Sequence, residues 1–218
     1  MSLLGLDPQS IVERVKASPS PVHAPTWSES IWRGIIGFTL VSVAGFAPWA
    51  LGLANHIGER GMYGASAMVF IGLSGVALHR LIIGPASLTR FSVLFAAAFV
   101  LYSAAWIFAY MRLGGHTGGG VGLAAGTALM GLVFATAFGA LAQWPKVMAS
   151  LFVFNALGYF GGRPIEAAVF NASPIAAMLL WGVCYGVGFG AGLGLAFYFC
   201  QSEVRALLRV LPVDEAQK

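Results

Sequence analysis

The sequence predicts an all-helical integral membrane protein, built as a bundle of about six membrane-spanning helices. Of its 218 residues, 58% are hydrophobic and only 9% are charged, whereas a soluble domain carries about 25% charged residues. Six apolar stretches approach the roughly 20 residues that a helix needs to cross a bilayer. Apolar and polar residues do not alternate within them, which excludes membrane-spanning strands. The predicted spans are residues 34–54, 61–78, 91–111, 118–141, 147–160 and 174–200.

Residues 1–30 form a separate N-terminal segment, which we predict to be cytoplasmic. Asp7 is placed to cap a short helix, and Pro8 occupies its first position, where a missing N–H does no harm. Charged residues stand where a cleavable signal peptide would have its apolar core, which argues against such a peptide. The helix is amphipathic and a proline-rich stretch comes after it, so it either lies on the membrane surface or binds a partner. Its apolar face consists of Ile11, Val12 and Val15.

The distribution of lysine and arginine predicts the orientation of the transmembrane domain, residues 31–200. With six spans and a cytoplasmic N-terminus, nine of the twelve basic residues fall on the inner side. This is the positive-inside pattern, so we expect the tail of residues 201–218 to be cytoplasmic as well, and the membrane to be a bacterial inner membrane. The net charge of +4 results from this orientation and requires no nucleic-acid partner. The three outer basic residues are Arg60, Arg112 and Arg163.

The fifth predicted span, residues 147–160, is too short to cross a bilayer comfortably. The sequence Gly161-Gly162-Arg163-Pro164 interrupts the apolar stretch directly after it. Two interpretations stay open. The helix continues to Val169 with Arg163 and Glu166 facing protein or water, or it forms a broken or re-entrant segment whose open backbone is covered.

Glycine recurs at every fourth position in two of the apolar stretches, and residues four apart share one side of a helix. Such a stripe of bare backbone lets a second helix approach closely. The fourth and sixth spans could pack back to back within the chain, or a stripe could face another subunit. A third interpretation is a flat apolar ligand, such as a quinone, a carotenoid or a lipid tail. The stripes are Gly114, Gly118, Gly122 and Gly126, and Gly182, Gly186, Gly190 and Gly194.

Ionisable residues are absent from the middle of every predicted span, which argues against proton- or ion-coupled transport. They gather at the predicted outer ends, where imidazoles and carboxylates could bind a metal or act as acid and base. Their spacing matches no motif. We therefore expect a solvated rim with an Arg163–Glu166 pair, and we predict neither a metal site nor a catalytic residue. The rim residues are His56, Glu59, His116 and Glu166.

Two polar residues inside the spans are further candidates for contact with a ligand. Asn155 is costly to bury, and we expect it to hydrogen-bond to a neighbouring helix, with contact to a substrate as the alternative. Ser74 lies in Gly72-Leu73-Ser74-Gly75, which resembles the serine motif of rhomboid intramembrane proteases, and His116-Thr117-Gly118-Gly119 resembles their histidine-glycine segment. Rhomboids have three spans before the serine, whereas one complete span precedes the helix of Ser74. Moreover, Ser74 would lie about 20 Å below the surface that holds His116, beyond hydrogen-bond reach.

The functional prediction rests on helix packing, because nucleotide, haem and cysteine-cluster motifs are absent. Cys184 and Cys200 lie about 24 Å apart on one helix, too far for a disulfide. We predict a non-enzymatic protein that works by assembly, as an accessory subunit of a membrane complex or as a homo-oligomer, with membrane lipids and protein subunits as partners. The alternative is a passive channel or facilitator for a small uncharged solute or lipid. A membrane enzyme with an outer His/Glu site is third. No motif indicates a cofactor, although a bound lipid, quinone or pigment would be compatible.

Overall fold

A computed structural model describes residues 3–210, except for the side chains of residues 3, 54, 59 and 60. Within these residues the chain is helical, with no strand. Three short 3-10 turns, Leu3–Gly5, His79–Leu81 and Leu141–Gln143, accompany the α-helices. The α-helices are Pro8–Lys16 (α1), Trp27–Ala50 (α2), Ala54–Leu78 (α3), Ser87–Leu113 (α4), Gly115–Ala137 (α5), Trp144–Phe170 (α6), Pro174–Cys200 (α7) and Ser202–Val210 (α8).

Helices α2 to α7 form an antiparallel bundle, which confirms the predicted fold class. Five of the described segments are long and apolar enough to cross a membrane: Trp27–Ala50, Gly61–Leu81, Ser87–Leu113, Gly115–Ala137 and Pro174–Cys200. The second of these segments begins several residues after the start of α3, beyond a break at Gly58, whose φ is 72°.

Helix α6 is the sixth long helix of the bundle, although its composition is less apolar than that of the other five. It runs without a break from Trp144 to Phe170, so the continuous helix is the interpretation that the structure supports, and its 27 residues measure about 40 Å. It runs antiparallel to both neighbours, because Gly158 lies against Cys184 and Gly192 lies against Ser150 of α6, while Gly131 of α5 lies against Met148. Helices α5 and α7 therefore run in the same direction, and α6 runs in the opposite direction.

The two ends of the bundle differ in what covers them. The basal end, where α2 begins and α7 ends, holds α1, α8 and the 3-10 turns His79–Leu81 and Leu141–Gln143. The distal end holds the short connections at 51–53, 114 and 171–173. Gln201 ties the basal end together, because its side chain accepts from the backbone N–H of Ile83 at 2.8 Å and donates to the carbonyl of Leu81 at 2.8 Å.

The N-terminal helix α1 packs on the bundle. Asp7 caps it as predicted, accepting from the backbone N–H of Ser10 at 3.0 Å. Leu6 and Ile11 are fully buried, and α1 lies against α8. Arg90 of α4 donates to the carbonyl of Leu4 at 3.1 Å. Of the predicted apolar face, Ile11 is buried, and Val12 and Val15 are half-buried against the core.

The glycines of α7 place it in close contact with α2. A Cβ atom built on Gly190 would overlap the carbonyl group of Gly34, and one on Gly194 would overlap that of Ser30. The opposite side of α7 is equally close to α6, because a Cβ atom on Gly188 would overlap the backbone of Phe154. Such contacts are possible only because no side chain stands between the two backbones.

The glycine stripe of α5 faces α4. Gly118, Gly122 and Gly126 lie against the backbone of Tyr110, Trp106 and Tyr102. Gly114, in contrast, ends α4 with a φ of 64°, and a Cβ atom built on it would meet nothing within 4 Å. Helix α5 thus packs mainly on α4, and α7 packs mainly on α2 and α6. The interpretation that the fourth and sixth spans lie back to back is wrong, because each stripe has a different partner within the chain.

Candidate ligand-binding cavity

The distal half of the bundle contains a cavity of about 490 Å³ between α2, α3, α4, α6 and α7. Cavities of roughly 300–1,000 Å³ with apolar walls and a few polar groups are typical of small-molecule sites. Aromatic side chains form most of the wall. They are Phe46, Trp49, Tyr63, Phe70, Phe99, Tyr102, Trp106, Tyr159, Trp181 and Tyr185.

The aromatic wall is held by ring-on-ring contacts between helices. Trp181 and Tyr185 of α7 stack with an interplanar angle of 10°, and Phe46 of α2 meets the Trp181 ring edge-on at 4.8 Å. Behind the wall, Tyr102 of α4 stacks on Phe189 at 5.3 Å. These offset and edge-on arrangements are the favoured ones for aromatic pairs, so the ring contacts stabilise the wall.

The inner end of the cavity is a polar floor formed by Tyr102, Asn155 and Tyr185. The Asn155 side chain is fully buried, and its Nδ2 donates to the Tyr102 hydroxyl at 2.8 Å. The hydroxyl oxygens of Tyr102 and Tyr185 are 3.5 Å apart. Within the described part of the chain, Asn155 Oδ1 has no hydrogen-bond partner. Both tyrosines lie about 17 Å from the distal ends of α4 and α7, which places the polar floor near the middle of the bundle.

The mouth of the cavity lies toward the distal end, where Tyr63, Ile107 and Arg163 both line the cavity and are exposed. Arg163 donates from Nη2 to the Tyr159 hydroxyl at 3.1 Å, and its guanidinium lies 5.3 Å from the centre of that ring. The expected Arg163–Glu166 pair is not formed in the described chain, where Arg163 turns back to Tyr159, one helical turn earlier. Glu166 lines the mouth beside it.

The other predicted rim residues join no group of three possible metal ligands among the described residues. His56 and His116 are exposed on different helices, and His116 contacts only the Phe160 ring, at 6.5 Å between centroids. The side chain of Glu59 lies outside the described residues. In the part of the chain that the structure describes, no three His, Cys, Asp or Glu side chains come together in a way that could hold a metal ion.

Ser74 and His116 are far apart along the bundle. Ser74 is buried, and the adjacent Gly75 lies against Ser92 near the start of α4. Gly118, two residues after His116, lies against Tyr110 near the end of α4. These two contact points are about 27 Å apart along α4, so a serine–histidine pair of the rhomboid kind cannot form.

The residues of the polar floor are only partly predictable from the sequence. Asn155 is predicted as a buried amide and does bond to another helix, but Tyr102 and Tyr185 are not among the predicted site residues. A signal for them exists in the sequence, because tyrosines of membrane proteins are enriched at the two interfaces and both of these lie in the middle of their helices. A hydroxyl at that depth needs a partner, in the protein or in a ligand.

Comparison of the chain with protein-family models, with curated proteins and with solved structures finds no match to any of them.

Proposed function

We propose that this membrane protein binds a small, uncharged, ring-bearing molecule in the distal cavity, as a non-enzymatic binding protein or passive facilitator. The aromatic cavity is the observation that supports this function over the others. The cavity has the volume of a small-molecule site, and a ring that stacks on an aromatic wall gains about 0.5–1.5 kcal/mol beyond the burial of its area.

An uncharged occupant is favoured by the electrostatics of the cavity. The polar floor offers two hydroxyl groups and an amide but no charged group. A buried charge without a partner costs several kcal/mol or more, so an ion would not be stable at this depth. At the mouth, Arg163 and Glu166 carry opposite charges and select for neither sign.

The proposal is tested by filling the cavity. Ala67 of α3 lines it, and Ala77 on the same helix is exposed on the outside of the bundle. We expect Ala67→Phe to lower the binding of anthracene at least about tenfold, and Ala77→Phe to leave it unchanged. The measurement is equilibrium dialysis of anthracene into nanodiscs that contain the protein, with empty nanodiscs of the same lipid as the baseline. Equal binding by the wild type and both variants would contradict the proposed function.

Assembly is a second candidate function, supported by one observation on α3. Gly64 and Gly72 face outward with no neighbouring atom within 4 Å of a Cβ position, and Met68 between them is 73% exposed. A second helix could approach closely at such a face. If the protein assembles, the protein mass per nanodisc would be a multiple of the mass of one chain. The double variant Gly64→Leu/Gly72→Leu would reduce that mass to the mass of the monomer. A monomeric wild type would contradict it.

We also propose that the basal end faces the cytoplasm. Basic residues of the described chain concentrate there, including Lys16, Arg80 and Lys146, whereas Arg112 and Arg163 lie at the distal end. Reporter fusions after Ile83 are expected to read inside and those after His116 outside. Cytoplasmic activity from the second fusion would contradict this orientation, and it would place the mouth of the cavity on the inner side.

A further inference from the structure

We infer that the polar floor recognises a carbonyl oxygen, so that the occupant of the cavity is a ring ketone or quinone rather than a hydrocarbon. The inference rests on the proposed function and adds a chemical class to it. It depends on a count of hydrogen-bond donors at Tyr102, Asn155 and Tyr185.

The polar floor has more donors than the protein uses. The Asn155 amide has two N–H groups, and Tyr102 and Tyr185 have one O–H group each. One amide hydrogen goes to the Tyr102 hydroxyl at 2.8 Å, and one hydroxyl hydrogen is shared across the 3.5 Å between the tyrosines. Whichever tyrosine donates, the other hydroxyl hydrogen has no acceptor among the described residues. Reversing the Asn155 amide would make Tyr102 the donor to Oδ1 and would leave both amide N–H groups without an acceptor, so these three side chains have surplus donors in either orientation.

The spacing of the two hydroxyls suits a shared acceptor. A direct O–H···O bond is most often 2.7–2.8 Å long, so the 3.5 Å between Tyr102 and Tyr185 is a weak contact. An oxygen atom about 2.8 Å from both hydroxyls would receive both hydrogens in better geometry. A carbonyl oxygen has two lone pairs and brings no hydrogen of its own that would need an acceptor at this depth.

The position of these groups indicates how the ligand lies. Tyr102 and Tyr185 line the cavity, whereas Asn155 is fully buried behind them and bonds to Tyr102. Asn155 is therefore a positioning residue, which donates to one lone pair of Tyr102 and does not take up a hydroxyl hydrogen of either tyrosine. With its carbonyl at the polar floor, the ring of the ligand lies between Phe46, Trp106 and Trp181, toward the mouth.

The test compares two molecules that differ only in their carbonyl groups, 9,10-anthraquinone and anthracene. Each is dialysed into nanodiscs with wild-type protein, and empty nanodiscs give the partition into lipid. We expect the wild type to bind anthraquinone about tenfold more tightly than anthracene, as for one or two hydrogen bonds made in a buried site. Tyr185→Phe keeps the ring and removes the hydroxyl, so it is expected to weaken anthraquinone binding about five- to tenfold and to leave anthracene binding unchanged.

Tyr198→Phe is the matched control, because Tyr198 lies near the basal end of α7 and does not line the cavity. It is expected to change neither affinity. Equal affinities for the two molecules, with no effect of Tyr185→Phe, would overturn the inference and leave the proposed function standing. Absence of binding above the lipid baseline for both molecules would overturn both. Retained anthracene binding in Tyr185→Phe shows that the variant is folded, so a selective loss of anthraquinone binding cannot result from unfolding.

Discussion

Aromatic residues occur in both the basal and the distal half of the bundle, but the described rings of the basal half pack on one another, whereas those of the distal half line a cavity. In the basal half, Phe91 stacks on Phe197 at 5.2 Å, and Phe197 lies 4.9 Å from Phe134, all three fully buried. In the distal half, Phe46 and Trp181 have one side against other rings and the other side on the cavity. Aromatic content alone therefore does not determine whether a region is core or binding site.

The difference arises from the groups that lie opposite the glycines of α7. In the basal half Gly190 faces Gly34, so that the backbones of α2 and α7 touch. Toward the distal end the Cβ position of Gly182 faces the side chain of Phe46. In the basal half, where glycine lies opposite glycine, α2 and α7 touch. In the distal half, where the Phe46 ring lies opposite Gly182, the ring keeps the two helices apart. In the function we propose, the basal half provides stability and the distal half provides space for a ligand.

The largest expected effect is therefore the loss of a basal glycine. Gly190→Leu places a side chain where the Gly34 carbonyl lies, and overpacking of this kind costs about 1–3 kcal/mol or more, here at the upper end because backbone cannot move aside as a side chain can. Gly161→Leu, on an exposed position of α6 where a Cβ atom would meet nothing within 4 Å, is the control and is expected to be neutral or slightly stabilising. Unfolding in mild detergent measures both, and equal stability of the two variants would contradict the close approach of α2 and α7.

A smaller loss of stability is expected from Gln201→Leu. This variant tests whether stability can be lowered without changing ligand binding. Gln201→Leu leaves the N–H of Ile83 and the carbonyl of Leu81 without partners, at a cost of about 1–3 kcal/mol. Because Gln201 is at the basal end, anthracene binding in the distal cavity is expected to stay unchanged. The control is Gln143→Leu, since Gln143 is half-buried at the same end and is expected to change stability by less than about 0.5 kcal/mol.

If Gln201→Leu weakened anthracene binding as much as it weakened stability, the two halves would not be independent and the division of roles would be wrong. The measurement is the same unfolding experiment, combined with dialysis at a temperature where the variant remains folded.

The sequence predicts the helices of this protein far better than it predicts their pairing. Long apolar stretches identify α2 to α5 and α7 because crossing a bilayer is a local requirement of length and composition. The pairing of a glycine stripe with its partner helix depends on residues that are far apart in the chain. Gly190 has Gly34 as its partner, and nothing near either residue specifies the other.

The cavity is harder still to predict, because it lies where side chains from five different helices leave a space between them. Its wall combines Phe46 of α2, Trp106 of α4 and Trp181 of α7, which are far apart in the chain. The sequence indicates that Asn155 needs a hydrogen-bond partner at its depth, and the identity of that partner, Tyr102, depends on how α4 and α6 pack. Buried polar residues are thus the part of the site with a sequence signal, and the aromatic wall is the part without one.

The smallest effect is expected at the exposed histidines of the distal end. His56 and His116 are exposed on different helices and form no cluster with other possible ligands in the described chain. Replacing both with Ala is expected to change stability by less than about 0.5 kcal/mol, as for surface residues without partners, and to leave bound metal and anthraquinone binding as they are in the wild type. Elemental analysis of the purified protein measures the metal. A stoichiometric metal in the wild type that disappears in the double variant would move the chemistry of this protein from the cavity to its rim, and it would favour the enzyme over the binding protein.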